Sequence, residues 1–216
     1  MNVRDVLNEL AAARRTVGAG SLPAGDAYTI EIRRRYDAGI DDVWSALTDP
    51  DRVARWLAAV SGDLRLGGKF ALGSGEHGEI LACDAPHLVK VTWMFGPKAD
   101  AWPGTSEVQV RLTPGQNGGT EFELVHAAVL AEPLFPTYGP GAGGVGWDLH
   151  VLALSAFLDG GDTVDHDALQ ASPEGREFIR RSAAGWGEAH LASGGNADHV
   201  ASAVEATTKF YAPDPN

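Results

Sequence analysis

Two histidines are placed where they could act together. His126 alternates in phase with Phe122 and Leu124, so on a strand it faces the same side as those apolar residues. His150 lies one helical turn from Trp147 and next to Val151. In that segment Trp147, Val151, Leu154 and Leu158 recur at i, i+4, i+7 and i+11, the stripe of an amphipathic helix. If that helix crosses the strand, both imidazoles line one cavity, where a histidine pair could shuttle protons or hold a metal. Two ligands are too few for a typical zinc site, and no nearby cysteine or carboxylate has the right spacing. The favoured reading is a pocket wall with hydrogen-bonded imidazoles, because buried polar groups find partners.

Other motifs fail on their surroundings. Gly141-Ala142-Gly143-Gly144-Val145-Gly146 matches the dinucleotide fingerprint, but Pro133 to Pro140 cannot be the central strand that must precede it. These glycines read instead as a flexible lead into a helix opening at Gly146, letting backbone pass close to a sheet. Gly62 to Lys69 resembles a phosphate loop only superficially, since Phe70 replaces the required hydroxyl residue. His77 sits in a turn and is expected in solvent. Glu79 points outward if Ile80 faces the core. Cys83, on a strand with no activating neighbours, reads as a buried inert thiol. No serine elbow or hydrolytic triad is present. No cofactor and no metal are expected.

Trp56, Phe70, Trp93, Phe95, Phe122 and Trp147 form the aromatic inventory of the expected interior. They are either plain core or, in part, the lining of a ligand cavity, since small-molecule sites are mostly apolar with a few placed polar groups.

The elements that must position these residues follow from pattern. Val3 to Arg15 reads as an amphipathic helix and Thr16 to Gly25 as a linker. Ala27 to Tyr36 alternates as a strand with Tyr28, Ile30 and Ile32 on one face. Arg33, Arg34 and Arg35 at its end read as a solvated strand edge. Two short helices follow, one capped at Asp41 or its neighbour and one starting at Asp49-Pro50. From Asp63 to Val129 short strands and tight turns imply an antiparallel meander, with Leu88 to Phe95 one strong strand. Gly96 to Gly104 and Glu132 to Gly144 read as loops. Past Gly160-Gly161, Ser172-Pro173 caps a further helix, and Asp198 to Tyr211 is the last. Strands in a run with helices held apart give an α+β fold.

Composition sets bounds. A 216-residue chain with 44% hydrophobic residues can bury a substantial core. Its net charge of -12, from 29 acidic and 17 basic residues, argues against gripping nucleic acid or anionic lipid. One cysteine permits no internal disulfide, which fits a reducing, cytoplasmic location. The first residues are not a secretory signal, and no run of about 18 apolar residues marks a membrane span.

The ordered features from Tyr28 to Leu158 resemble the START-like (SRPBCC) superfamily. The branch they look most like is named after the activator of the ninety-kilodalton heat-shock-protein ATPase. The matching residues include Asp41-Asp42-Val43-Trp44, Thr48-Asp49-Pro50, Arg55-Trp56, Gly67-Gly68 with Phe70, Val91-Thr92-Trp93, Gly119-Thr120 with His126, and Gly146-Trp147. The resemblance implies a helix-grip fold, a curved antiparallel sheet wrapped around a long C-terminal helix with a cavity between them. Residues 1–25 would be an N-terminal helix and linker, 26–161 the helix-grip domain, and 162–216 a helical extension. Superfamily members bind lipids, hormones or polyketides, and some are cyclases or hydrolases. The co-chaperone of the branch carries a further N-terminal domain that nothing here matches, so chaperone activation is not inferred.

Three functions follow as expectations. The first is a non-enzymatic binder of a small apolar or amphipathic molecule, its pocket formed by Trp56, Phe70, Trp93, Phe95, Phe122, His126, Trp147, His150 and Val151. The second is a cyclase- or hydrolase-like enzyme using His126 or His150 as acid or base. The third is a co-chaperone-like interaction module anchored by Trp186, Phe210 and Tyr211, against which the tail simply packs on the N-terminal helix. The oligomeric state is left open, a homodimer included.

Overall fold

The computed structural model describes residues 3–95, 106–129, 134–161 and 166–213. Helix α1 (Val3–Ala11) leads into strands β1 (Arg14–Leu22) and β2 (Gly25–Tyr36), then helices α2 (Ile40–Thr48) and α3 (Pro50–Trp56). Strands β3 (Val60–Gly62), β4 (Lys69–Leu72), β5 (Glu76–Asp84), β6 (Leu88–Thr92), β7 (Met94–Phe95), β8 (Ser106–Pro114) and β9 (Thr120–Val129) follow. Helices α4 (Leu134–Tyr138), α5 (Gly141–Leu158), α6 (His166–Ala171), α7 (Pro173–Ala192) and α8 (Ala197–Tyr211) come last. The described strands form one curved antiparallel sheet ordered β1-β2-β9-β8-β6-β5-β4-β3, with β7 on β5. The architecture is α+β, a sheet gripping the long helix α5.

Alternation sets the sheet's inner face. Ile30, Ile32 and Tyr36 of β2 are buried beside Phe122 and Leu124 of β9 and Val108, Val110 and Leu112 of β8. Helix α5 differs from the one-faced cover expected of it. Trp147, Val151 and Leu154 are buried, but so are Asp148, Leu149, Leu152 and Ser155, because α1, α7 and α8 pack around its other sides. It is long and apolar enough to span a membrane by composition. However, 72% of it is buried within the protein, as befits a core helix.

The glycines are part of α5, which begins at Gly141 rather than Gly146. A Cβ at Gly144 would stand 2.4 Å from the Trp186 indole, and one at Gly141 2.9 Å from Thr207 Oγ1. Their purpose is therefore close approach of α7 and α8, and the expected flexible lead is corrected to a packed first turn.

Two ion pairs, one buried and one partly so, fix the N-terminal elements. Arg15 of β1 donates from Nε and Nη2 to both oxygens of Asp148, each at 2.9 Å. The Ser182 hydroxyl and Trp186 Nε1 of α7 also donate to Asp148, at 2.5 and 3.0 Å. Arg34 of β2 pairs with Glu9 of α1 at 2.9 Å and donates to Ser155 of α5.

Several expectations are corrected. The linker at Thr16 to Gly25 is largely strand β1, paired with β2 from Arg14↔Arg33 to Leu22↔Gly25, and the first helix stops at Ala11. Gly18 and Gly20 serve this hairpin by leaving space for Thr29, whose side chain would lie 3.0 and 3.1 Å from an added Cβ. Arg34 is buried, not a solvated edge, because it is in phase with Ile30 and Ile32 and has Glu9 to neutralise it. Leu88 to Phe95 breaks at Trp93, where β7 departs to pair with β5. The α2 cap is Gly39, with no side-chain hydrogen bond. Asp49 and Ser172 do cap α3 and α7. Cys83 is exposed rather than buried, at the rim of the space between sheet and helices. Trp186 is fully buried against α5 and cannot be a docking anchor. Helix α7 packs on α1, as the competing reading of the tail expected. Part of the Glu132 to Gly144 loop is helix α4, and the Gly96 to Gly104 loop lies outside the described residues.

Replacing Arg15 by alanine leaves the Asp148 carboxylate buried without its cation. It is expected to cost about 3–5 kcal/mol in equilibrium urea unfolding. Joint replacement by Arg15→Met and Asp148→Leu is expected to cost less than Arg15→Ala, because no stranded charge remains.

Candidate functional site

Two adjacent cavities lie between the sheet and α5, with Trp93, Trp147 and His150 forming walls of both. The smaller has a volume of about 200 Å³ and the larger about 640 Å³. All nine residues singled out from the sequence lie on these walls. Trp56, Phe70, Phe122 and Val151 face the smaller cavity, Phe95 and His126 the larger, and Trp93, Trp147 and His150 both. Phe95 is the outlier in burial. It is 51% exposed on the short strand β7 and forms a rim rather than interior.

The smaller cavity is apolar almost throughout, bounded by α2 and α3 at one end and by Val91, Val108 and Leu154 along its length. Trp56 is held there by its indole N–H, which donates to the Ala46 carbonyl at 2.8 Å. Exposed Cys83 also borders it. The aromatic rings continue across the partition. Phe70 and Trp93 lie 6.2 Å apart between centroids, and Trp93 and Trp147 5.1 Å apart.

A directed hydrogen-bond chain crosses the larger cavity's wall. Trp147 Nε1 donates to His126 Nδ1 at 2.9 Å. His126 Nε2 meets Ser106 Oγ at 3.0 Å, while the Ser106 hydroxyl donates to the Trp93 carbonyl. With its proton spent on Trp93, Ser106 must accept, so His126 carries its proton on Nε2 and is neutral. Both ring nitrogens are then engaged. Some of the ring's surface is cavity wall, but protein encloses it, and burial lowers its pKa to about 4. A histidine so committed has no free lone pair with which to take a substrate proton.

The other polar groups of the larger cavity are Tyr28, Tyr138, Tyr211, His150 and Glu76. Burial raises the Tyr28 pKa and pushes that of Tyr211 up to about 12, so both remain neutral phenols. Tyr211 Oη donates to the Ala142 carbonyl at 2.8 Å, which makes α8 part of the cavity wall. Glu79, expected outside, lines neither cavity.

Sequence reasoning missed Ser106 and Glu76, although the signal was there. Ser106 is in phase with Val108 and Val110, and Glu76 with Ile80, so period-two alternation carries both to the inner face. The contributions of Tyr138, Phe210 and Tyr211 had no local signal, since they depend on how α8 docks. Among the described residues no group of three or more metal-ligating side chains occurs.

Burial of His126 makes stability depend on pH with a definite sign. An unfolded histidine titrates near 6.5, whereas the folded one titrates near 4. As pH falls from 6.5 toward 4 the unfolded chain takes up a proton that the folded protein refuses. The stability present above 6.5 is therefore lost progressively and is gone by about pH 4, an effect on the order of a few kcal/mol. His190, lowered by burial and by the neighbouring His199, adds in the same direction. Thermal unfolding followed from about pH 7.5 to about pH 4.5 is expected to show Tm falling less steeply in His126→Gln than in the wild type.

Comparison with known proteins places this geometry. Residues 37–158 match the family model described as Activator of Hsp90 ATPase homolog 1-like protein. The crystal structure of CalU16 from Micromonospora echinospora is 35% identical with a TM-score of 0.65, over 82% of this chain and 98% of that one. Its solution structure is 37% identical with a TM-score of 0.68, over 86% and 97%. A conserved protein of unknown function from Enterococcus faecalis, 14% identical with a TM-score of 0.55 over 85% and 95%, shares the fold. A search of curated proteins gives no match. With more than half its length matched by the family model, the chain belongs to the family of Activator of Hsp90 ATPase homolog 1-like proteins.

Proposed function

We propose that this protein binds a small apolar or amphipathic molecule between its sheet and α5. The observation that carries this reading is the pair of adjacent cavities, of about 200 and 640 Å³, walled by aliphatic and aromatic side chains with a few placed polar groups. That is the composition of small-molecule sites, where apolar walls supply affinity and a few polar groups supply orientation. An apolar body would enter the smaller cavity beside Trp56 and Phe70, and polar substituents would lie in the larger one near Tyr28, Glu76 and Tyr211. The cytoplasmic location expected from the single thiol goes with this reading.

The engaged nitrogens of His126 favour binding over proton transfer. Its role in this reading is to hold Trp147 and Ser106 in place, so that the partition between the cavities is rigid before a ligand arrives. Preorganisation of this kind raises affinity by sparing the ordering of side chains on binding.

The test uses N-phenyl-1-naphthylamine, a neutral apolar dye that brightens in apolar sites, together with native mass spectrometry of the purified chain. The dye is expected to bind one to one. Gly143 lines the larger cavity, and its added Cβ would meet only Ile30 Cδ1 at 3.5 Å, so Gly143→Phe can fill the space from an ordinary starting contact. Gly143→Phe is expected to weaken the dye by about tenfold or more, because its ring occupies the volume the dye needs. No binding by the wild type and no retained small molecule would overturn the proposal.

A further inference from the structure

Glu76 is the one carboxylate among the described residues that lines either cavity. It opens β5, is 8% exposed, and stands opposite Phe95 of β7. One of its oxygens accepts from the Ser74 hydroxyl. The other buried carboxylate among the described residues, Asp148, shows what full compensation looks like, with two arginine N–H donors, a hydroxyl and an indole. Glu76 has a single hydroxyl, and no Lys, Arg or His among the described residues forms a salt bridge with it. A carboxylate removed from water into mostly apolar surroundings needs a cation or several donors to offset its lost hydration. The fold supplies Asp148 with that compensation and leaves Glu76 facing a cavity.

We infer that Glu76 receives a positively charged amino group on the ligand, so that the protein selects amines with an apolar, ring-containing body. The inference rests on the binding reading above. The walls around the carboxylate fit this chemistry. Tyr28, Trp93, Phe95 and Trp147 line the same cavity, and aromatic faces attract cations through their quadrupoles. A net charge of -12 adds a long-range field that gathers cations and repels anions. Ser74 occupies one carboxylate oxygen and so orients the group, leaving the other for an N–H donor.

The experiment compares three probes of one shape by isothermal titration calorimetry at neutral pH. These are 1-naphthylmethylamine as its ammonium ion, neutral 1-naphthalenemethanol and the anion 1-naphthoate. The wild type is expected to prefer the ammonium over the alcohol by about tenfold or more, the worth of one charge-assisted hydrogen bond, with naphthoate weakest. Glu76→Gln is expected to erase that preference by weakening the ammonium far more than the alcohol, and a wild-type-like thermal unfolding transition shows that the variant is folded. The wild-type preference is read without any variant, so a misfolded substitution does not shield the inference. An ammonium no tighter than the alcohol in the wild type, or a preference that survives Glu76→Gln, overturns the amine inference and leaves the cavity reading standing. Failure of all three naphthyl probes and of N-phenyl-1-naphthylamine overturns both.

Discussion

Asp148 sits 3% exposed within a helix whose other buried residues are apolar or small. A charge at that depth is tolerable only when partners surround it, and the partners come from far apart. Arg15 reaches in from β1, and Ser182 and Trp186 from α7. The carboxylate therefore demands that the sheet's first strand, the central helix and the penultimate helix meet at one point. Arg34, Glu9 and Ser155 repeat the arrangement between β2, α1 and α5. Such pairs add little net stability over an apolar packing, but they penalise any arrangement that leaves one partner behind. They fix where α5 lies over the sheet, and so which of its side chains become cavity wall.

With α5 placed, its two sides divide their labour. The side toward α7 and α8 carries Gly141, Gly144 and Asp148, allowing close backbone approach and buried polar contacts. The side toward the sheet carries Trp147, His150, Val151 and Leu154, which leave space rather than fill it. The chain from Trp147 through His126 and Ser106 to the Trp93 backbone stitches that side to strands β8 and β9. Every donor in it has one acceptor, so the rings that separate the cavities have one arrangement. A satisfied polar network of this kind specifies geometry more than it adds energy.

How much of this the sequence disclosed depends on the range of the interaction that decides each element. Alternation is local, and it placed Ile30, Ile32, Phe122, Leu124 and His126 on the inner face. Cap chemistry is local too, which is why Asp49 and Ser172 were legible. Strand β1 was not, because a run of glycine, serine and alanine becomes strand only through its nine pairings with β2. Nor was the first turn of α5, where Gly144 looks like a loop until Trp186 is seen against it. Arg34 and Glu76 fell between these cases. Their phase was readable, but three neighbouring arginines suggested solvent, and Glu76 drew no reading of its own beside the turn at His77. In the site, the walls contributed by the sheet and α5 could be read, whereas those from α4 and α8 depend on docking that no local pattern encodes.

The buried pair also has a history within each molecule. Arg15 and Asp148 are separated by 133 positions, and Trp186 lies further on. During synthesis at roughly 5–20 residues per second, α1 and β1 leave the ribosome on the order of ten seconds before the helices that receive them. Through that interval Val6 and Leu10, buried in the finished protein against α5 and α7, have no surface to cover them. Elements α1 and β1 thus become native only once α5 and α7 have been made. The sheet's first strand waits, through all the strands that follow it, for the helices that hold it.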